Sequence, residues 1–145
     1  MADGLYLTTF RDALNGDLAL DLNDTTAGRF KMGLVTNLYA PDFSTHTGWS
    51  NVSPYEVSGT GYTAGGAAVT GVTFTKSGGL LVWDCDDVSW SSSSISAAAA
   101  VLYDDSLIGD PLIGFFGFGQ TLTSASSTFT VTIPSGGAFT LDLTP

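Results

Sequence analysis

Apolar and polar residues alternate along most of this chain, which is the pattern of β-strands with one buried face. Residues 127–133 give the clearest case, because Phe129, Val131 and Ile133 alternate with three threonines. Strands are predicted at residues 18–22, 29–38, 68–75, 80–85, 87–90, 95–103, 112–119, 127–133 and 138–143. Turn-forming Gly, Pro, Asp and Ser residues separate them. Eight or nine short strands at near-regular spacing predict an all-β fold: a single domain, residues 1–145, built as an antiparallel β-sandwich or barrel.

Residues 97–100 are four consecutive alanines, and their intrinsic propensity favours a helix. The serines before them, and Val101, Leu102 and Tyr103 after them, favour a strand instead. Apolar periodicity is a stronger signal than propensity. We therefore predict a strand here, with a closely packed face of small side chains.

A short helix is predicted at the N-terminus, before the first long strand. Thr8 or Thr9 can cap its start, and Asn15 followed by Gly16 supplies a stop signal at its end. Further along, residues 39–66 lose the alternation and become rich in aromatic and small polar side chains. A connection of this length without secondary structure is uncommon unless it is functional.

One helical turn is predicted within that segment, near residues 53–57. Ser53, Pro54 and Glu56 have the elements of a capping box, with serine at the N-cap, proline at the first helical position and glutamate at the third. Residues 58–66 hold several glycines, which are expected to adopt positive φ in consecutive tight turns. A phosphate-binding loop is not expected, because the required lysine is missing and a strand rather than a helix follows.

The charge composition narrows the possible partners. Fourteen acidic residues against four basic residues give a formal net charge of −10. This charge disfavours nucleic-acid binding, because neutralising phosphates requires clustered Lys and Arg. No apolar run is long enough to span a membrane, and the first residues lack the features of a signal peptide, so folding in a cytoplasm is expected. Neither a nucleic acid nor a membrane is predicted as a partner.

Groups suited to catalysis and cofactor binding are scarce. His46, Glu56 and Cys85 are each the only residue of their type, and no nucleophile motif of the form G-x-S-x-G is present. The chain is therefore predicted not to be an enzyme and to carry no cofactor. Cys85 is expected to be a small buried side chain beside Trp83.

One weak candidate for a metal site is the acidic triplet around the cysteine. Asp84 and Asp86 share one strand face, and Asp87 follows them, so a Ca²⁺ ion could be held there together with backbone carbonyls. A solvated strand end followed by a turn explains the same residues. The main expectation is that no metal is bound.

Aromatic residues divide into core and interface candidates. Trp83 and Trp90 belong to the β-rich part of the chain and are expected in the core. Other aromatic side chains fall outside the strand pattern, in the irregular segment and in the N-terminal helix, where they are available for a partner. The predicted interface residues are Trp49, Tyr55, Tyr62 and Phe10.

Several segments, taken in order, resemble a family of small structural proteins of tailed bacteriophages. The most specific is E-V-S-G-T-G-Y-T-A-G-G at residues 56–66. The weaker segments, which extend the resemblance over nearly the whole chain, are F-R-D-A-L-N-G at 10–16, F-K-M-G-L-V-T at 30–36, Y-A-P-D at 39–42 with His46 following, D-D-V-S-W at 86–90, A-V-L-Y-D at 100–104 and L-I-G-F-F-G-F-G at 112–119.

The resemblance implies a β-rich structural component of the virion, assembled in the cytoplasm of a host bacterium. The expected role is that of a capsid decoration, or cement, protein that binds the major capsid protein lattice and associates with itself on the particle. The alternative is a tail, neck or head-fibre adhesin, or a carbohydrate-binding module, with the aromatic residues of 39–66 as its platform. The resemblance implies no catalytic residues for this chain.

Overall fold

The computed structural model describes residues 3–144, and this part of the chain contains ten strands and one α-helix. The helix, α1, spans Leu7–Asn15. Two short 3₁₀ turns span Trp49–Asn51 and Ser53–Tyr55. The strands are β1 Gly4–Leu5, β2 Phe30–Val35, β3 Ala67–Ala68, β4 Thr73–Ser77, β5 Leu80–Asp84, β6 Val88–Ser93, β7 Ser96–Asp104, β8 Leu112–Thr123, β9 Ser127–Val131 and β10 Phe139–Asp142.

The strands of residues 3–144 form three antiparallel sheets, which together make a sandwich rather than a closed barrel. The largest sheet has five strands in the order β1-β8-β7-β2-β3. A three-stranded sheet, β10-β5-β4, and a two-stranded sheet, β6-β9, pack against it across the core. The predicted all-β, antiparallel fold class is confirmed, with the sandwich as its form.

The main core lies between the five-stranded sheet and the two smaller sheets. Trp83 is fully buried there, stacked on Phe139 at 5.5 Å between ring centroids and meeting the edge of Phe30 at 5.7 Å. Trp90 and Phe129 from the two-stranded sheet extend the same core. Burying one large apolar side chain contributes about 1.5–3 kcal/mol, so these rings are a main source of stability. The expectation that Trp83 and Trp90 are core residues is confirmed.

A second core lies on the other face of the five-stranded sheet, under residues 36–56. Tyr39 and Phe43 of this segment pack on Phe115 of β8, at 5.9 and 6.3 Å between ring centroids. Residues 36–56 therefore cover one face of the five-stranded sheet, and we call them the covering segment. Strand β7 is consequently buried on both faces, and its alanines leave room for close packing. The strand predicted at 95–103 is confirmed.

Two strand predictions are wrong. Residues 18–22 form no strand, and the Leu22 carbonyl accepts a hydrogen bond from Trp83 Nε1 at 2.9 Å instead of pairing in a sheet. The leucines of this segment are half-buried, so their alternation reflects packing against the core. The strand predicted at 68–75 is two strands, β3 and β4, because Gly71 turns the chain between them with φ +66°.

The other predicted strands lie where expected, with shifted ends. Strand β2 is shorter than the predicted 29–38, because the covering segment begins after Val35. Strand β8 continues to Thr123, and its register against β7 shifts twice, between Leu112 and Gly114 and between Gly117 and Leu122. Strand β1 was not predicted, since two residues are too few to form an alternating pattern.

The N-terminal helix ends as predicted but begins differently. Gly16 closes α1 with φ +82°, which confirms the stop signal. Tyr6 occupies the N-cap position, so the prediction of a threonine cap is wrong. The Thr9 hydroxyl instead donates to the Leu112 carbonyl, and the Thr8 hydroxyl donates to a carbonyl of the covering segment. These two side chains tie the helix to its surroundings rather than to its own first turn.

The helical turn predicted near residues 53–57 is confirmed as the 3₁₀ turn Ser53–Tyr55. A second turn, Trp49–Asn51, precedes it and was not predicted. The predicted capping box is wrong, because Val52 and not serine precedes the turn. The Glu56 carboxylate reaches the glycine-rich loop instead of the start of the turn.

Candidate functional site

A groove with apolar walls opens between α1 and the three-stranded sheet. It encloses about 400 Å³, and we call it the apolar groove. Its helix wall is formed by α1 and residues 20–22, and its sheet wall by β4, β5, β10 and the residue after β10. Nine apolar side chains line it, among them Phe10, Leu14, Leu22, Phe74, Leu81 and Leu143.

The groove stays open because α1 packs on the sandwich by one side only. Phe10 is half-buried and meets the edge of Phe139 at 6.2 Å between ring centroids. Leu14, one turn further along the helix, is 87% exposed, and Leu143 on the sheet wall is 72% exposed. Exposed apolar side chains that cluster around a concave surface are typical of a site where another molecule binds.

One acidic side chain lines the groove, and one basic side chain lies beside it on the sheet wall. Asp21 is the acidic residue among its lining side chains. Lys76 lies on the sheet wall, since it pairs with Leu81 in the β4–β5 register and paired residues point to the same face. Within residues 3–144, Lys76 forms no ion pair. The other basic side chains are held by carboxylates in the pairs Arg11–Asp12, Arg29–Asp24, Arg29–Asp104 and Lys31–Asp105.

The structure separates the four predicted interface residues. Phe10 lies in the apolar groove. Trp49 stacks on Tyr103 at 4.3 Å between ring centroids, on the outer face of the five-stranded sheet. Tyr62 is half-buried against the main core, and Tyr55 remains 40% exposed. Contact of these residues with a partner stays a prediction, but Trp49 and Tyr62 have clear structural roles within the chain.

Segment 56–66 is fastened to the sandwich through Glu56. Its carboxylate accepts hydrogen bonds from the Tyr62 hydroxyl and the Gly65 N–H, both at 2.6 Å. The Tyr62 hydroxyl also accepts a hydrogen bond from the Leu34 N–H of β2 at 3.0 Å. Hydrogen bonds to a carboxylate are roughly twice as strong as those between neutral groups. We call these three contacts the Glu56 clip.

The glycines of this segment allow the backbone to approach β2 closely. Gly66 has φ +82°, and a Cβ atom on it would lie 2.0 Å from the Met32 carbonyl oxygen. Gly59, Gly61 and Gly65 also have positive φ. The prediction that these glycines form consecutive tight turns is confirmed, and the segment has a structural role that needs no ligand.

The three candidate calcium ligands are not gathered around one point. Asp84 accepts a hydrogen bond from the next residue's N–H, Asp86 from the Thr70 hydroxyl and Asp87 from the Ile133 N–H. Each carboxylate therefore holds a different stretch of backbone or side chain. Among residues 3–144, no group of three His, Cys, Asp or Glu side chains is arranged to hold a metal ion.

Cys85 and His46 are both held by their surroundings. Cys85 is buried in the main core with Trp83, as expected. Burial, together with the neighbouring aspartates, raises the pKa of Cys85 to about 12, so the thiol is protonated at neutral pH. The His46 Nδ1 accepts the Asp42 N–H at 3.3 Å and lies 2.9 Å from the Tyr39 hydroxyl. These contacts lie within the covering segment and hold its residues 39–46 together.

Comparisons with known proteins give no family for this chain. No protein-family model, no curated protein and no solved structure matches it. No helix within residues 3–144 combines the length and the apolar character that crossing a bilayer requires. Function is therefore inferred from the groove and the surface charge.

Proposed function

We propose that the protein is a structural component of a tailed-phage particle, and most specifically a capsid decoration protein that binds the major capsid protein lattice. The observation that supports this best is the apolar groove, with Leu14 and Leu143 exposed on its two walls. A protein that assembles into a particle needs such an association surface. The resemblance of residues 56–66 to structural proteins of tailed bacteriophages supports a phage particle in particular.

The rest of the surface suits a subunit that stays soluble until it assembles. The net charge of −10 favours solubility and opposes non-specific aggregation of the free protein. Three of the four basic side chains are neutralised by carboxylates within residues 3–144. Such a surface repels the packaged nucleic acid, which a protein on the outside of a shell does not need to bind.

The arrangement of polar side chains supports a role without catalysis or cofactor. The ring of His46 is committed to the covering segment, and Cys85 is buried with a raised pKa. The Glu56 carboxylate is committed to the clip. His46 Nδ1 and Glu56 Oε1 are thus engaged in hydrogen bonds within the fold, and the Cys85 thiol is protonated at neutral pH.

Co-sedimentation with purified expanded heads tests this proposal. The wild-type chain is expected to sediment with the heads, and Leu14→Asp is expected to weaken that binding, because it disrupts association through the apolar groove. Leu38→Asp is the matched control, since Leu38 is 75% exposed and lies outside the groove. Recovery of the protein with isolated tails, and not with heads, would contradict the decoration role.

A carbohydrate-binding or adhesin role has weaker support. Trp49, one of the aromatic residues predicted to form a platform, is stacked on Tyr103. Tyr62 is half-buried, with its ring 5.9 Å from the Trp90 ring. Both rings therefore already pack against an aromatic side chain of this chain. Tyr55 is the one with a substantially exposed ring. Glycan binding that disappears in Tyr55→Ala would favour this alternative over the decoration role.

A further inference from the structure

We infer that the apolar groove binds a second copy of this chain, in a symmetric dimer with a two-fold axis through the groove. In such an interface the same patch is used by both copies, so residue i of one meets residue j of the other, and j meets i. The helix wall of each copy then lies against the sheet wall of the other. Leu14 on the helix wall is 87% exposed and Leu143 on the sheet wall is 72% exposed, so each finds an apolar partner across the axis.

The charges at the groove complement themselves under the same symmetry. Asp21 belongs to the helix wall, and Lys76 belongs to the sheet wall beside Leu81. The two-fold axis that brings helix wall to sheet wall also brings Lys76 of one copy towards Asp21 of the other, twice per dimer. Both side chains are exposed in the single chain, and within residues 3–144 Lys76 has no ion pair of its own.

The overall charge favours this surface over any other for contact between copies. Two chains of net charge −10 repel each other, and the repulsion is smallest where the facing surfaces carry no net charge. Nine apolar side chains and the acidic Asp21 line the groove, and the basic Lys76 lies beside it on the same sheet face as Leu81. A strongly basic partner would be drawn instead to the acidic remainder of the surface, whereas a second copy matches the balanced charges of the groove.

The dimer goes beyond the proposed function. On a particle, two linked copies would present two surfaces to the shell. Linking two binding surfaces raises the overall affinity without any new contact, because the second binding event becomes intramolecular. This is why Leu14→Asp is expected to weaken head binding as well as the dimer.

Sedimentation equilibrium of the full chain over a concentration series tests the inference. We expect a species of twice the 15.0 kDa mass of the monomer. Leu14→Asp is expected to raise the dissociation constant on the order of 30-fold or more, as for a central side chain of an interface. Leu38→Asp introduces the same charge at a leucine outside the groove and is expected to leave the dissociation constant unchanged. Far-UV circular dichroism checks that both variants are folded.

Charge reversal gives a sharper test of the symmetry. Lys76→Asp and Asp21→Lys are each expected to weaken their own dimer at least about tenfold, because like charges then face each other across the axis. Mixing the two variants is expected to restore dimer formation, since every facing pair again has opposite charges. No recovery on mixing, equal effects of Leu14→Asp and Leu38→Asp, or a wild-type chain that stays monomeric would each overturn the inference. A monomer that still binds heads would leave the proposed function standing, and a dimer that ignores heads would contradict that function alone.

Discussion

Replacing Tyr62 by phenylalanine removes one oxygen atom from the Glu56 clip and keeps the ring in place. Two hydrogen bonds are lost together: from the Tyr62 hydroxyl to the Glu56 carboxylate at 2.6 Å, and from the Leu34 N–H to the Tyr62 hydroxyl at 3.0 Å. Leu34 is fully buried, so water does not reach its N–H in place of the lost oxygen. The substitution therefore breaks a bond to a charged group and also leaves a buried donor without an acceptor.

The expected cost follows from these two losses. A buried N–H left without an acceptor costs about 1–3 kcal/mol, and a hydrogen bond to a charged group contributes about 1.5–3 kcal/mol. The second contribution is lost only in part, since the Glu56 carboxylate keeps its bond from the Gly65 N–H and is only half-buried. We expect Tyr62→Phe to lower the free energy of unfolding by about 2–4 kcal/mol.

Urea unfolding followed by tryptophan fluorescence measures this difference. Tyr55→Phe is the matched control. Tyr55 is 40% exposed, so water can solvate any polar group that loses contact with its hydroxyl. The control is expected to change the free energy of unfolding by less than about 0.5 kcal/mol. Equal losses in the two variants, or a loss below about 1 kcal/mol for Tyr62→Phe, would refute the fastening role of the clip.

Three further predictions concern the core, the thiol and an ion pair. Trp83→Phe is expected to lower the free energy of urea unfolding by about 2–4 kcal/mol, because Trp83 Nε1 donates to a backbone carbonyl. Trp90→Phe removes a buried Nε1 that has no partner within residues 3–144, and it is expected to lower the free energy of unfolding by less than about 2 kcal/mol. Cys85, whose pKa is raised to about 12, is expected to react with a colorimetric thiol reagent at about pH 8 only after unfolding; rapid reaction of the folded chain would contradict this. Hydrogen bonds from Thr26 and Arg29 lower the pKa of Asp24 from 3.8 to about 2, so its ionised form stabilises the fold above its unfolded pKa, and this contribution is lost as the pH falls through the folded value. As the pH decreases over this acid range, the melting temperature is therefore expected to fall less steeply for Asp24→Asn than for wild type.

The sequence predicts the strands better than it predicts how they are arranged. The alternation around Phe129 is local, and β9 lies where it was expected. The packing of Tyr39 on Phe115 joins residues far apart in the chain, and no local pattern indicates it. For that reason the covering segment was predicted as an irregular loop, although it closes a second core. The loss of alternation in residues 39–66 fits both an exposed loop and a segment that crosses a sheet face.

The candidate site was predicted only in part, for the same reason. Phe10 was identified because it lies on a short helix outside the strand pattern, and it does line the apolar groove. The opposite wall comes from β4, β5 and β10, which the sequence could not place against that helix. Trp49 and Tyr62 were selected by residue type, but stacking and the Glu56 clip occupy them. The sequence signal that could have indicated the groove is Leu14, an apolar residue one helical turn after Phe10.

The wrong strand prediction at residues 18–22 bears directly on the groove. Its leucines alternate with polar residues, which is the pattern of a paired strand. In the structure the Leu22 carbonyl is held by Trp83 Nε1, and Leu20 and Leu22 form part of the helix wall together with Asp21. A paired strand would have turned those leucines into the sandwich core and left no such wall. Departures from local structural rules are expected at functional or strained sites. The unpaired segment therefore supports the groove as an association surface on grounds independent of the phage resemblance.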